Sequence, residues 1–97
     1  MEMYETQLDE ILHQPIRTRI MTMLINTKEC DFNTIKKKLS LTDGHMSTHM
    51  KVLLGNEYVS VEKFFENNKP KTVYKPTLKG EKAFKNYIAA LRKIIEG

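Results

Sequence analysis

The apolar positions along this chain change period once, and the change separates helical segments from a hairpin. Tyr4, Leu8, Ile11 and Leu12 stand at the i, i+4, i+7, i+8 spacing of one helical face, which predicts a helix within residues 1–13. His13-Gln14-Pro15 interrupts it, because proline cannot continue a helix but is pre-set to begin the next one. A second helix is expected over 15–26, with Ile16, Ile20, Met23 and Leu24 facing inward. Asn26 to Glu29 reads as a turn, and Cys30 as part of a short extended piece. Asp31 is placed to cap a third helix through its carboxylate, and Phe32, Ile35 and Leu39 form that helix's apolar stripe. Ser40-Leu41-Thr42 is a tight connection, and Thr42 can cap a fourth helix over 43–55. Met46, Met50, Leu53 and Leu54 are its buried stripe. Gly55-Asn56 reads as its stop, since both residues tolerate left-handed backbone angles.

The period then shortens. Tyr58 to Phe65 alternates and is rich in valine and phenylalanine, which predicts a strand, and Thr72 to Lys75 predicts its partner. Residues 66–71 between them are polar turn material. Pro76 closes the hairpin, and Thr77 can cap a last helix over 78–96. Phe84, Ile88, Leu91 and Ile95 line one face of that helix, flanked by Tyr87 and Ile94, while Lys82, Lys85 and Lys93 occupy the other. No repeat or linker divides the chain. The expected fold is a single domain over 1–97, mainly α with a small β-hairpin (α+β): a helix-turn-helix over 31–55, a hairpin over 58–75, and extra helices at both ends.

Composition narrows the function. At 97 residues and 40% hydrophobic the chain suits one small core, and no apolar run approaches the ~20 residues of a membrane span. No secretory signal follows Met1. The single cysteine, Cys30, excludes an intramolecular disulfide and suits a reducing cytoplasm. A metal site is not expected, because one cysteine and the scattered His13, His45 and His49 do not converge as soft or imidazole ligands must. No phosphate-cradling glycine loop or nucleophile motif is present, so neither an enzyme nor a cofactor is expected. The formal charge of +4 is unevenly spread: residues 1–27 carry −2, residues 28–79 carry +4 and residues 80–97 carry +2. An anionic partner would therefore meet the middle and end of the chain. Lys36-Lys37-Lys38 reads as a solvated helix end rather than as that meeting point.

The helix over 43–55 gives that charge a shape. At 100° per residue its apolar stripe occupies a sector of about 100°. Gly44, His45, Thr48, Lys51 and Val52 project oppositely, with Ser47 and His49 on the flanks. A small, polar and basic face suits a DNA major groove about 12 Å wide. His49, near the buried edge, suits either a DNA contact or a structural hydrogen bond.

The run from Leu41 to Leu53, containing Ser47-Thr48-His49-Met50-Lys51-Val52-Leu53 and followed by Tyr58-Val59, resembles the recognition helix of ArsR- and MarR-like winged-helix transcriptional regulators. Pro15-Ile16-Arg17, Asp31-Phe32 and Thr77-Leu78-Lys79-Gly80 match the same pattern, so the resemblance covers roughly residues 10–82. It implies that Ser47, Thr48 and Lys51 face double-stranded DNA, that His45 reaches a base edge or phosphate, and that Asn67, Asn68, Lys69 and Lys71 of the wing lie along the backbone or minor groove. Arg17 and Arg19 are candidates for further backbone contacts.

The end helices present more apolar surface than a winged-helix core requires. Tyr4, Leu8 and Ile11 at the start, with Phe84, Tyr87, Ile88, Leu91 and Ile95 at the end, are most simply read as a homodimer interface. The resemblance points the same way. The expected function is a dimeric, sequence-specific DNA-binding regulator, a repressor rather than an activator. The alternative is a protein-interaction module on the same scaffold. The sequence identifies no small-molecule effector.

Overall fold

The computed structural model describes residues 7–97, and Tyr4 with its part of the expected first helix lies outside them. Four helices and a three-stranded antiparallel sheet follow one another: α1 (Pro15–Thr27), β1 (Cys30–Asp31), α2 (Phe32–Lys38), α3 (Asp43–Gly55), β2 (Val59–Glu66), β3 (Lys69–Pro76) and α4 (Leu78–Glu96). The α+β winged-helix arrangement expected from the sequence is the one observed. No helix among the described residues is long and apolar enough to cross a membrane.

Over its described part the expected N-terminal helix is corrected, for residues 7–14 form a single turn. Asp9 Oδ1 accepts the amides of Ile11 and Leu12 at 2.8 and 3.1 Å, and its carbonyl accepts His13 N at 2.7 Å. The side chain thus captures amide donors, and Pro15 forces a fresh start. Leu12 is fully buried, and Leu8 and Ile11 pack on the same core. The other Asp9 oxygen accepts the Tyr58 hydroxyl at 2.5 Å, which fastens this turn to the entrance of β2. Burial first, then the hydrogen bond and charge of Asp9, push the Tyr58 phenol up to about 12. Stability from the neutral phenol is therefore complete below its ordinary value near 10 and is lost as pH climbs from there towards 12. In urea titrations across that interval the wild-type midpoint is expected to fall more steeply than that of Tyr58→Phe. Parallel slopes would remove the Asp9 bond from the stability of the fold.

Local chemistry sets the helix ends. Gln14 caps α1 by accepting Arg17 N at 2.8 Å, and Lys28 closes it in the left-handed region at φ 73°. Ile20, Met21 and Leu24 are the buried face of α1, so Met21 takes the position expected of Met23. Thr42 accepts His45 N at 3.1 Å and Thr77 accepts Gly80 N at 2.9 Å, as their positions predict. Asp31 differs: it precedes α2 in extended conformation, but its carboxylate takes the Thr34 hydroxyl and no backbone amide. The stop after α3 also differs, since Gly55 stays helical and Glu57 supplies the left-handed residue at φ 61°.

The sheet order is β1-β3-β2. Cys30 and Asp31 pair with Tyr74 and Val73, so the short extended piece becomes a third strand. The hairpin is longer and tighter than expected. Only Asn67 and Asn68 form its turn, both left-handed at φ 54° and 62°, the two-residue geometry that matches strand twist. Leu12, Ile20, Leu24, Ile35, Met46, Met50, Leu53, Val59, Tyr74 and Tyr87 meet in one core beneath the root of the sheet.

Candidate nucleic-acid interface

Helix α3 is held by its apolar stripe and leaves the remainder free. Met46, Met50 and Leu53 are buried, whereas Gly44, His45, Ser47, Thr48 and Lys51 are exposed. A Cβ on Gly44 would meet nothing within 4 Å, so internal packing does not require glycine there. Among the described residues no carboxylate lies within 4.0 Å of the Lys51 ammonium. Lys36, by contrast, is tied to Asp43 at 2.6 Å, at the start of α3.

His49 sits differently from its neighbours. Its ring is half-buried, and Nδ1 lies 3.1 Å from Nη1 of Arg17. Burial first, then the charges of Arg17 and His45, lower its pKa, which favours the neutral ring that can accept the guanidinium proton. The Arg17 Nε donates to Ile11 O at 2.6 Å. One arginine therefore connects the N-terminal turn, α1 and α3. Of the two readings for His49, the geometry is that of the structural hydrogen bond, and Arg17 is engaged inside the molecule rather than turned to solvent. Sequence reasoning did not find this pairing, because 32 positions separate the partners.

The wing residues divide between turn and strand. Asn67 and Asn68 occupy the tip, while Lys69 and Lys71 belong to β3 and lie on one face with Glu66 and Phe64, their cross-strand partners. Lys71 approaches Glu66 at 3.4 Å, an exposed pair worth little in water. The opposite face carries Val61, Lys63, Phe65, Pro70 and Thr72, with no carboxylate. His13 bonds Tyr87 through Nδ1 at 2.9 Å, and no three His, Cys, Asp or Glu side chains converge among the described residues. Burial raises the Cys30 thiol, with Asp31 adding to the effect.

The residues expected at a dimer interface are also separated. Tyr87 is only 4% exposed and belongs to the core of its own chain, which corrects its place among the expected dimer-interface residues. Leu8 and Ile11 are partly covered by the same core. Phe84, Ile88 and Leu91 are half-buried along α4, and Ile95 is 74% exposed. An open apolar groove runs between Ile25 of α1 and Phe84, Ile88 and Ala89 of α4, edged by Glu81, Lys85 and Arg92.

Comparison with known proteins agrees with this geometry. A family model described as a winged helix DNA-binding domain matches residues 16–95. An uncharacterised protein of Methanocaldococcus jannaschii is 39% identical over 79 residues, which span 81% of this chain and 86% of that one. The structure of a transcriptional regulator homologue from Pyrococcus horikoshii OT3 matches with a TM-score of 0.90 at 33% identity, covering 100% of this chain and 97% of its own. The PcaV transcriptional regulator of Streptomyces coelicolor, solved with its natural ligand, shares the fold with a TM-score of 0.73 at 11% identity, over 98% of this chain and 66% of that one.

Proposed function

This chain belongs to the winged helix DNA-binding domain family, and from that membership we propose that it is a sequence-specific transcriptional repressor that binds its operator as a homodimer. The observation that carries the reading is the division of α3. Its buried Met46, Met50 and Leu53 fix the helix on the core. Gly44, His45, Ser47, Thr48 and Lys51 form an exposed face of small, polar and basic side chains, bordered at its start by Asp43, which pairs with Lys36. Small residues at the start of the helix allow close approach, and Thr48 and Lys51 offer hydrogen bonds to base edges. In this reading Asn67, Asn68, Lys69 and Lys71 meet phosphates, which position a protein without reading sequence. A two-fold dimer would present two α3 helices about 34 Å apart, matching a pseudo-palindromic site whose occupation blocks transcription.

Selection from a random duplex library tests this. The wild-type chain is expected to enrich a pseudo-palindrome with half-sites one turn apart. Thr48→Ala with Lys51→Ala should lower affinity for the selected duplex by about 10- to 100-fold, leave unselected DNA little affected, and leave thermal unfolding unchanged. Lys69→Ala with Lys71→Ala should weaken both duplexes alike and reduce the salt slope by about 1 for each phosphate that is no longer neutralised. Unchanged affinity in both pairs would reject the site. An intact dimer that binds no duplex at low salt would favour the protein-interaction module.

A further inference from the structure

A hairpin tip is ordinarily polar, yet this one ends in an uncovered phenylalanine. Phe65 is 77% exposed, and the two-residue turn begins just one residue beyond Glu66. Its register partner on β3 is Pro70, which is exposed as well. Glu66 and Lys69 close the turn as a hydrogen-bonded pair, so the alternation of an antiparallel ladder makes Phe65 and Pro70 the next, non-hydrogen-bonded pair. Side chains stand closest in such pairs, and the two form one apolar ridge. At the root of the wing the same face carries Val59 and Tyr74 into the core. Lys63 shares that face and Lys69 adjoins Pro70, while Glu66, the neighbour of Phe65 in the strand, is on the other face beside Lys71.

We propose that Phe65, backed by Pro70, is a wedge that enters the DNA minor groove and unstacks one base step, so that the wing bends the duplex as it binds. The proposal rests on the DNA-binding reading above and gives the wing a role beyond phosphate contact. A minor groove about 6 Å wide admits an aromatic ring where it would not admit a helix. Apolar side chains inserted there unstack a step and kink the duplex, and flexible pyrimidine–purine steps yield most easily. The flanking lysines supply the charge complementarity that a second copy of this basic chain would lack.

The test uses the full chain on two probes: the duplex enriched by the wild type, and an alternating A·T duplex at low salt. Each carries 2-aminopurine at successive steps and a fluorophore pair at its ends. Wild-type binding is expected to raise 2-aminopurine emission at one step and shorten the end-to-end distance. Phe65→Ala should lose both signals and bind about 5- to 100-fold more weakly, with an unchanged salt slope. Phe65→Leu should retain most of the bend, and both variants should melt as the wild type does. Wild-type binding without unstacking, or Phe65→Ala bending DNA like the wild type, overturns the wedge and leaves the α3 reading intact. A change in sedimentation rather than in DNA affinity would assign Phe65 to protein contact and overturn it too. Failure of the wild type to bind either duplex overturns both readings.

Discussion

Gly80→Ala is expected to destabilise the fold by about 3 kcal/mol or more, although helix propensity alone predicts a gain near 1 kcal/mol. Gly80 lies in the first turn of α4, where the helix presses on the chain leaving α3. A Cβ there would stand 2.0 Å from Tyr58 O, 2.8 Å from its carbonyl carbon and 3.0 Å from its Cα. All three are backbone atoms and cannot swing aside as a side chain tip would. The carbonyl is also held in place, because it accepts Thr77 N at 3.0 Å, and the Thr77 hydroxyl donates to Glu57 O at 2.6 Å. Relief therefore requires α4 to lift from β2, and Tyr87 leaves the core with it. Urea titration at fixed protein concentration measures the effect, with thermal melting expected to drop by on the order of 15 °C. Gly44→Ala and Gly55→Ala, which meet nothing within 4 Å, are the controls and should hold or raise the midpoint. A Gly80→Ala midpoint at or above wild type would mean that the crossing is looser than its geometry.

This crossing illustrates which features the sequence could disclose. The resemblance to winged-helix regulators drew attention to Thr77-Leu78-Lys79-Gly80, and the Thr77 cap followed from local chemistry. The reason for a glycine at the fourth position did not, because it lies in a backbone 22 positions upstream. Helices α3 and α4 were legible to within a residue, since both have strong period and a threonine cap. The outward face of α3 was legible for the same reason. Residues 7–13 were misread because Leu8, Ile11 and Leu12 fit a turn over the core as well as one face of a helix. Strand β1 was legible as a short extended piece at Cys30 but not in its partners, for two residues carry no periodicity and the pairing with Val73 and Tyr74 is long-range. The wing was read short because Pro70 and Pro76 suggest strand ends. In the observed ladder both prolines occupy non-hydrogen-bonded positions opposite Phe65 and Val59, so neither withholds a donor from β2.

On the homodimer reading proposed above, Leu91→Glu and Ile95→Glu are each expected to give a monomer and to reduce affinity for a two-half-site duplex by about 10²- to 10⁴-fold. Once Tyr87 is assigned to the core, Phe84, Ile88, Leu91 and Ile95 remain as a stripe at helical spacing on α4. They run from half-buried beside the body to 74% exposed at the end. Ile25 extends that apolar surface onto α1 across an open groove. Covering it with the same surface of a second copy would bury apolar area on both chains under one two-fold axis. Loss of the dimer separates two linked half-site contacts into independent ones, which is why the DNA effect is large although no DNA-facing residue changes. Leu91 also packs on its own core, so Leu91→Glu can perturb folding. Ile95 is the cleaner position, because its side chain is 74% exposed and lies outside the core of the described residues. Sedimentation at several concentrations, paired with binding to one-half-site and two-half-site duplexes, separates the effects. Unchanged one-half-site binding with loss of the two-half-site advantage is the expected result for Ile95→Glu. A dimer that persists in both variants would place the interface away from α4, and the spacing of α3 helices would then have to be derived from a different axis.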